Sequence, residues 1–118
     1  MIMNPSSLKH FTEFTKILSS YHASERALKA IEGLKLVLML APTSSGRNTI
    51  IRHLLTTGNY YYIVSDTTRQ PRVNDGVIEQ NGREYWFKSE EEVLEDLKAG
   101  EYLEAEIIHN QQISGISI

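Results

Sequence analysis

The sequence predicts an α/β fold, and three observations carry that expectation. Residues 34–40, Leu-Lys-Leu-Val-Leu-Met-Leu, form a near-continuous apolar run, as a parallel strand covered on both faces requires. A small, polar loop at 41–49 follows, and then a helical stripe of Ile50, Ile51, Leu54 and Leu55 that stops by Gly58. Strand, small-residue loop and helix make the first half of a βαβ unit, and residues 60–64 supply its second strand.

The remaining elements follow from the same patterns. Residues 5–20 read as a helix, with Leu8, Phe11, Phe14, Ile17 and Leu18 recurring at spacings of three and four behind the start signals Pro5, Ser6 and Ser7. Ser24 can cap a second short helix, with Ala27, Leu28 and Ile31 inward and Gly33 ending it. These two helices carry no catalytic constellation and read as a packing cap. Residues 65–82 are a long polar connection containing Pro71, Gly76 and Gly82. Tyr85, Trp86 and Phe87 make a short strand. Ser89 followed by Glu92 is a capping box, opening a helix whose apolar side is Val93, Leu94 and Leu97 and whose end is Gly100. Residues 102–108 alternate loosely as a strand, and 113–118 are a further short apolar segment.

Composition bounds the possibilities. The chain has 118 residues, 41% hydrophobic and 23% charged, which is globular rather than disordered, and one domain of this size buries roughly two thirds of its unfolded surface. Without cysteine there is neither a disulfide framework nor a thiolate metal site, and a reducing cytoplasm is the expected setting. The apolar run 36–42 falls far short of the roughly 20 residues that span a membrane, and the first residues lack the pattern of a signal peptide. A net charge of −3 argues against a general nucleic-acid binder. The halves differ: residues 1–59 carry seven Lys/Arg and three Glu, whereas 60–118 carry five Lys/Arg and twelve Asp/Glu. That asymmetry is either an accident of solvated faces or a setting in which isolated arginines matter.

Two stretches carry chemistry. A small-residue loop between a buried strand and a helix can cradle phosphates, because backbone N–H groups and the helix N-terminus face the anion. At the four defined positions of the usual G-x-x-x-x-G-K-[ST] pattern stand Ala41, Gly46, Arg47 and Asn48, so one is met. Arg47 keeps the charge but exchanges a compact ammonium for a planar fork, and Asn48 loses the hydroxyl, although Thr49 is adjacent. An ordinary capped turn is the competing reading. The second stretch is Ser65-Asp66-Thr67-Thr68-Arg69-Gln70-Pro71-Arg72. Two arginines three residues apart, stiffened by a proline, can converge on one anion through charge-assisted bonds. A solvated turn with two surface arginines is the alternative.

Ser-x-Thr-Thr-Arg-x-Pro-Arg after such a loop and a short strand resembles the guanylate kinase family. The resemblance continues in order through Gly82-Arg83-Glu84-Tyr85-Trp86-Phe87, Tyr102-Leu103-Glu104 and Ser114-Gly115-Ile116-Ser117, and covers residues 34–117. It implies a partial P-loop kinase core at 34–64 and a small mixed-β GMP-binding region at 65–118, preceded by a helical extension at 1–33. It implies that Ser65, Arg69, Arg72 and Tyr85 hold the phosphate of GMP and that Glu104 reads the guanine N1 and N2 edge. Ser117, a hydroxyl in the last element, joins that GMP-binding set. Thr43, Ser44, Ser45, Gly46, Arg47, Asn48 and Thr49 would hold the phosphates of ATP, with Arg47 at the catalytic lysine position. The implied reaction is ATP and GMP giving ADP and GDP, with Mg²⁺ bridging phosphates. The family's acidic Mg²⁺ residues, arginine-bearing lid and adenine pocket would come after residue 118, so the sequence reads as a fragment, or as a chain that completes its sheet by self-association. The Arg72-to-Tyr85 segment is a few residues longer than the family's, and the departures at Arg47, Asn48 and Ile116 keep a second reading open. That reading is a non-catalytic module binding GMP or a phosphorylated peptide.

Overall fold

The computed structural model describes residues 7–37 and 46–118, with the backbone alone at Arg47. They divide into two compact units, one of residues up to Glu32 with Val64–Ile118, the other Gly33–Ile63.

The first unit is a mixed sheet with helices on one face. Its elements are α1 (Phe11–Leu18), α2 (Glu25–Ala30), β1 (Asp66–Thr67), β2 (Val73–Asn74), β3 (Val77–Ile78), β4 (Trp86–Phe87), α4 (Glu90–Lys98), β5 (Tyr102–Ile108) and β6 (Gln112–Ser117), while α3 (Arg47–Thr56) belongs to the second unit. Four strands run in the order β4-β1-β6-β5, with β1 parallel to β4 and antiparallel to β6, and β5 and β6 forming an antiparallel hairpin. The sheet side of the core is Tyr102 and Ile113, and onto it pack Leu8 and Phe14 from the N-terminal segment and Val93, Leu94 and Leu97 from α4. Side chains alternate along a strand. Asp66, Ala105 and Gly115 therefore share the helix-covered face, and Thr67, Glu104, Glu106, Ser114 and Ile116 the opposite one.

The helices match their sequence signals with two corrections. The Ser89 hydroxyl accepts from the Glu92 N–H at 3.1 Å and Glu92 returns the capping box, as expected. The Ser24 hydroxyl caps α2 through the Ala27 N–H, also at 3.1 Å. Helix α1, expected from residue 5, begins only at Phe11. Its start is set from far along the chain, where the Glu90 carboxylate accepts the Lys9 and His10 N–H groups at 3.1 and 2.9 Å. In α2 only Ala27 turns inward; Leu28 is 54% exposed, because so short a helix presents one small residue to the sheet.

The two parallel strands expected at 34–40 and 60–64 are the main correction. Residues 34–37 and 60–64 have no regular structure, Leu34 is 61% exposed, and Leu36 and Val37 are exposed beside it; residues 38–40 lie outside those described. An apolar run sets a tendency, but a strand exists only through a hydrogen-bonded neighbour. Among the described residues none pairs with either segment. Conversely, the 65–82 connection is more structured than expected, holding β1 and the β2–β3 hairpin. That hairpin turns through Asp75 and Gly76, both at positive φ (52° and 78°), the signature of a type I′ turn. Among the described residues no helix is long and apolar enough to cross a membrane.

Candidate functional site

Two short strands position the arginine segment. β1 is fixed on both sides, by the Trp86 N–H to the Ser65 carbonyl at 2.9 Å and by the Thr68 N–H to the Ile113 carbonyl at 3.1 Å. The threonines then lock the turn that follows. The buried Thr67 hydroxyl accepts the Arg69 N–H at 3.2 Å and receives a hydrogen bond from the Ser114 hydroxyl at 3.2 Å. The Thr68 hydroxyl accepts the Ile113 N–H at 3.0 Å. Arg69 thus leaves a turn with little freedom.

The Arg69 side chain is shielded and engaged. Its guanidinium carbon lies 5.1 Å from the centre of the Tyr85 ring and 5.9 Å from that of Phe87, within cation–π range. Tyr85 and Phe87 meet edge to face at 6.0 Å. The Arg69 Nη1 donates to the Gln70 carbonyl at 2.9 Å and to the Glu79 Oε1 at 2.7 Å, the two side chains of this ion pair being 12% and 8% exposed. Glu79 holds the Arg69 guanidinium above its ordinary pKa, against the opposing effect of burial. The Arg69 hydrogen bond, and next the Arg72 N–H, pull the Glu79 carboxyl down to about 2.

Arg72 does not converge with Arg69 side chain to side chain. Its guanidinium is exposed, and among the described residues nothing pairs with it. Its backbone meets Glu79 instead: the Arg72 N–H donates to Glu79 Oε1 at 2.8 Å, and the Glu79 N–H to the Arg72 carbonyl at 2.8 Å. Glu79 was not singled out in the sequence. It is one of three acids, with Asp75 and Glu84, in the longer stretch between Arg72 and Tyr85, and nothing in the sequence marks it out from the other two.

Tyr85 owes its place to Gly82. The Gly82 N–H donates to the Tyr85 carbonyl at 2.8 Å, and Gly82 takes φ +84° with the Trp86 indole so close that a Cβ would lie 2.9 Å from it. The spacing Gly-x-x-Tyr thus has a steric cause.

Glu104 stands exposed on the face of the sheet away from the helices, across from Ile116, with Glu106 two residues along and across from Ser114. Partial desolvation by its neighbours first, and then the Glu106 charge, raise the Glu104 carboxyl above its ordinary pKa. β6 separates β5 from β1, so Glu104 lies on a strand about 10 Å from the one that leads into Arg69. Ser65, partly buried, precedes β1 directly. Ser117 does not join Glu104, because strand alternation puts it on the face of Ile113 and Gly115, beside Tyr102.

On the helix-covered face lies a buried polar cluster that the sequence did not announce. Asp66 is 1% exposed; its Oδ2 accepts the Tyr102 hydroxyl at 2.6 Å and pairs with the Lys88 ammonium at 2.8 Å. Its Oδ1 has no partner among the described residues. Burial and then Asp66 push the Tyr102 phenol far above the usual range. Burial works against the Lys88 charge, but Asp66 and Asp96 outweigh it and raise that pKa.

In the second unit Gly46, at φ +89°, is the N-cap of α3, and Asn48 and Thr49 are exposed in its first turn. Thr43, Ser44, Ser45 and the Arg47 side chain lie outside the described residues. No group of three His, Cys, Asp or Glu among the described residues could hold a metal ion.

The family model described as guanylate kinase matches residues 33–117. The chain is 39% identical to the guanylate kinase of Porphyromonas gingivalis over 83 residues, which are 69% of this chain and 42% of that protein. It is 33% identical to the human guanylate kinase over 76 residues, covering 63% and 36%, and 40% identical to that of Trichormus variabilis over 72 residues, covering 60% and 34%. The chain spans less than half the length of each of these curated relatives.

Proposed function

Since the chain belongs to the guanylate kinase family, we propose that residues 65–117 bind GMP and that the chain is the GMP-binding part of an ATP:GMP phosphotransferase. The observation that carries this reading is the turn 67–69. It holds Arg69 against Tyr85, while Glu104 stands on the same sheet beyond β6. A phosphate at Arg69, Arg72, Tyr85 and Ser65 and a guanine at Glu104 would then use both ends of one surface. A carboxylate suits guanine because that base offers N1–H and N2–H side by side. Ser117, on the other face, is assigned no contact, and Ser114 and Ile116 flank Glu104 instead.

The P-loop core is also part of the proposal. Residues 43–49 would take the phosphates of ATP, with Arg47 supplying positive charge. Mg²⁺ would enter with ATP and neutralise phosphate charge; the described residues hold no group of three acidic or histidine side chains that could bind it. In the reaction a GMP phosphate oxygen bonds to the γ-phosphorus of ATP, the bond from that phosphorus to the β–γ bridging oxygen breaks, and ADP leaves. The chain's contribution is positioning and charge neutralisation.

One observation favours a binding-only role: residues 34–37, which should lead into the phosphate loop, form no strand. Titration calorimetry with GMP and AMP tests the base reading. Binding of GMP over AMP that is lost in Glu104→Gln supports it, and equal binding of the two sinks it. ADP formation that depends on GMP then selects the enzyme over the binding module.

A further inference from the structure

Resting on the GMP reading above, we propose that Glu79 is a positioning residue of the anion site, a buckle that sets Arg69 and Arg72 in fixed relation. Its Oε1 accepts from both arginine residues at once, from the Arg69 guanidinium at 2.7 Å and from the Arg72 N–H at 2.8 Å. Its own N–H closes back on the Arg72 carbonyl at 2.8 Å. Between these two anchor points runs the β2–β3 hairpin, whose type I′ turn leaves little slack. The Asn74 amide adds a longer contact to Oε2 at 3.4 Å.

Three features separate this from an ordinary surface ion pair, which would do little. Both side chains are shielded from water. The carboxylate is held by main chain as well as by a guanidinium, so it is part of the fold and not an anion waiting to be displaced. The arginine it holds also lies over the Tyr85 and Phe87 rings, which restricts where its guanidinium can sit. Two arginines and one glutamate leave the site a net positive charge. A guanidinium carries five N–H donors; the bonds to Glu79 and Gln70 both leave Nη1, and the Tyr85 side chain is a further hydrogen-bond partner. Glu79 therefore sacrifices one corner of the fork to aim the rest. Misplacement of a binding group by about 1 Å can cost about 100-fold.

The test measures GMP and guanosine affinity for the full 118-residue chain, with Glu79→Ala and Glu79→Gln beside the unaltered protein. Near-UV circular dichroism establishes which variants fold. The expectation is that GMP binds Glu79→Ala about 100-fold more weakly and Glu79→Gln to an intermediate degree, since an amide oxygen accepts without charge. Guanosine, which lacks the phosphate, should bind all three alike, so the GMP-to-guanosine affinity ratio falls. Unchanged or tighter GMP binding would overturn the proposal, the latter showing that Glu79 competes with phosphate. A proportional loss of both ligands would make its role merely structural and overturn it as well. If the unaltered chain fails to bind GMP, the GMP reading itself falls and takes the buckle with it, a result distinct from a native affinity that ignores Glu79.

Discussion

Replacing Tyr102 with phenylalanine isolates one hydrogen bond in the buried cluster. The ring is fully buried and would keep its packing, so the change removes an oxygen and little else. That oxygen donates to Asp66 Oδ2 at 2.6 Å, within the range of a charge-assisted O–H···O⁻ bond. Hydrogen bonds to charged groups contribute about 1.5–3 kcal/mol. The upper part of that range is expected here, because Asp66 is 1% exposed and its Oδ1 already has no partner among the described residues. Only Lys88 would then offset the buried charge. A chain of 118 residues has about 6–18 kcal/mol of stability in total, so a loss of 2–3 kcal/mol is large yet leaves a folded majority. Urea unfolding followed by circular dichroism gives the difference directly, and the cycle with Asp66→Asn apportions it. A Tyr102→Phe cost below about 0.5 kcal/mol, or an equal cost with and without the Asp66 carboxylate, would refute the reasoning.

Other perturbations test other parts of the fold. Phe14→Ala removes a fully buried ring joining α1 to the sheet, and equilibrium unfolding should register a loss of about 3–5 kcal/mol. Ser89→Ala deletes half of the α4 capping box, with an expected thermal destabilisation equivalent to about 1 kcal/mol; no change in melting would contradict the cap geometry. Gly82→Ala puts a methyl against the Trp86 indole at positive φ, which should shift the tryptophan emission and cost about 1–3 kcal/mol. The Glu79 carboxyl is depressed from 4.5 to about 2, so its contribution is complete above about pH 4.5 and is lost as pH falls through about 2. Amide NMR signals of Arg69 and Arg72 should stay put down to pH 4 and move only well below it. Movement centred near 4.5 would show that the buckle is open in solution.

How far the sequence could be read depended on where each element's partners lie. Helix α4 was legible because its cap, its apolar stripe and its end at Gly100 are local. The order of Arg69, Tyr85 and Glu104 was legible through motif spacing, but not the carboxylate that engages Arg69, since Glu79 comes close only once the hairpin has turned. That hairpin had a local signal in Asp75-Gly76, yet two-residue strands carry no periodicity to flag them. The described part of the 34–40 run, residues 34–37, and the run 60–64 differ from expectation for the opposite reason. Their composition is strand-like, but composition cannot supply the neighbour that a ladder needs. Asp66 reads as an ordinary polar loop residue until Tyr102 and Lys88 arrive around it.

The N-terminal helices are tied to residues far along the chain: Tyr21 exchanges two hydrogen bonds with the Tyr102 main chain across 81 positions, and Ser7 bonds to the Gln111 carbonyl across 104. During synthesis at 5–20 residues per second, the apolar stripe of α1 must therefore wait about 4–16 s beyond its own emergence for the surface that covers it. In that interval Phe11, Phe14 and Ile17 are available to anything that captures greasy nascent segments. The apolar stripe of α1 is thus covered only when the β5–β6 hairpin has formed.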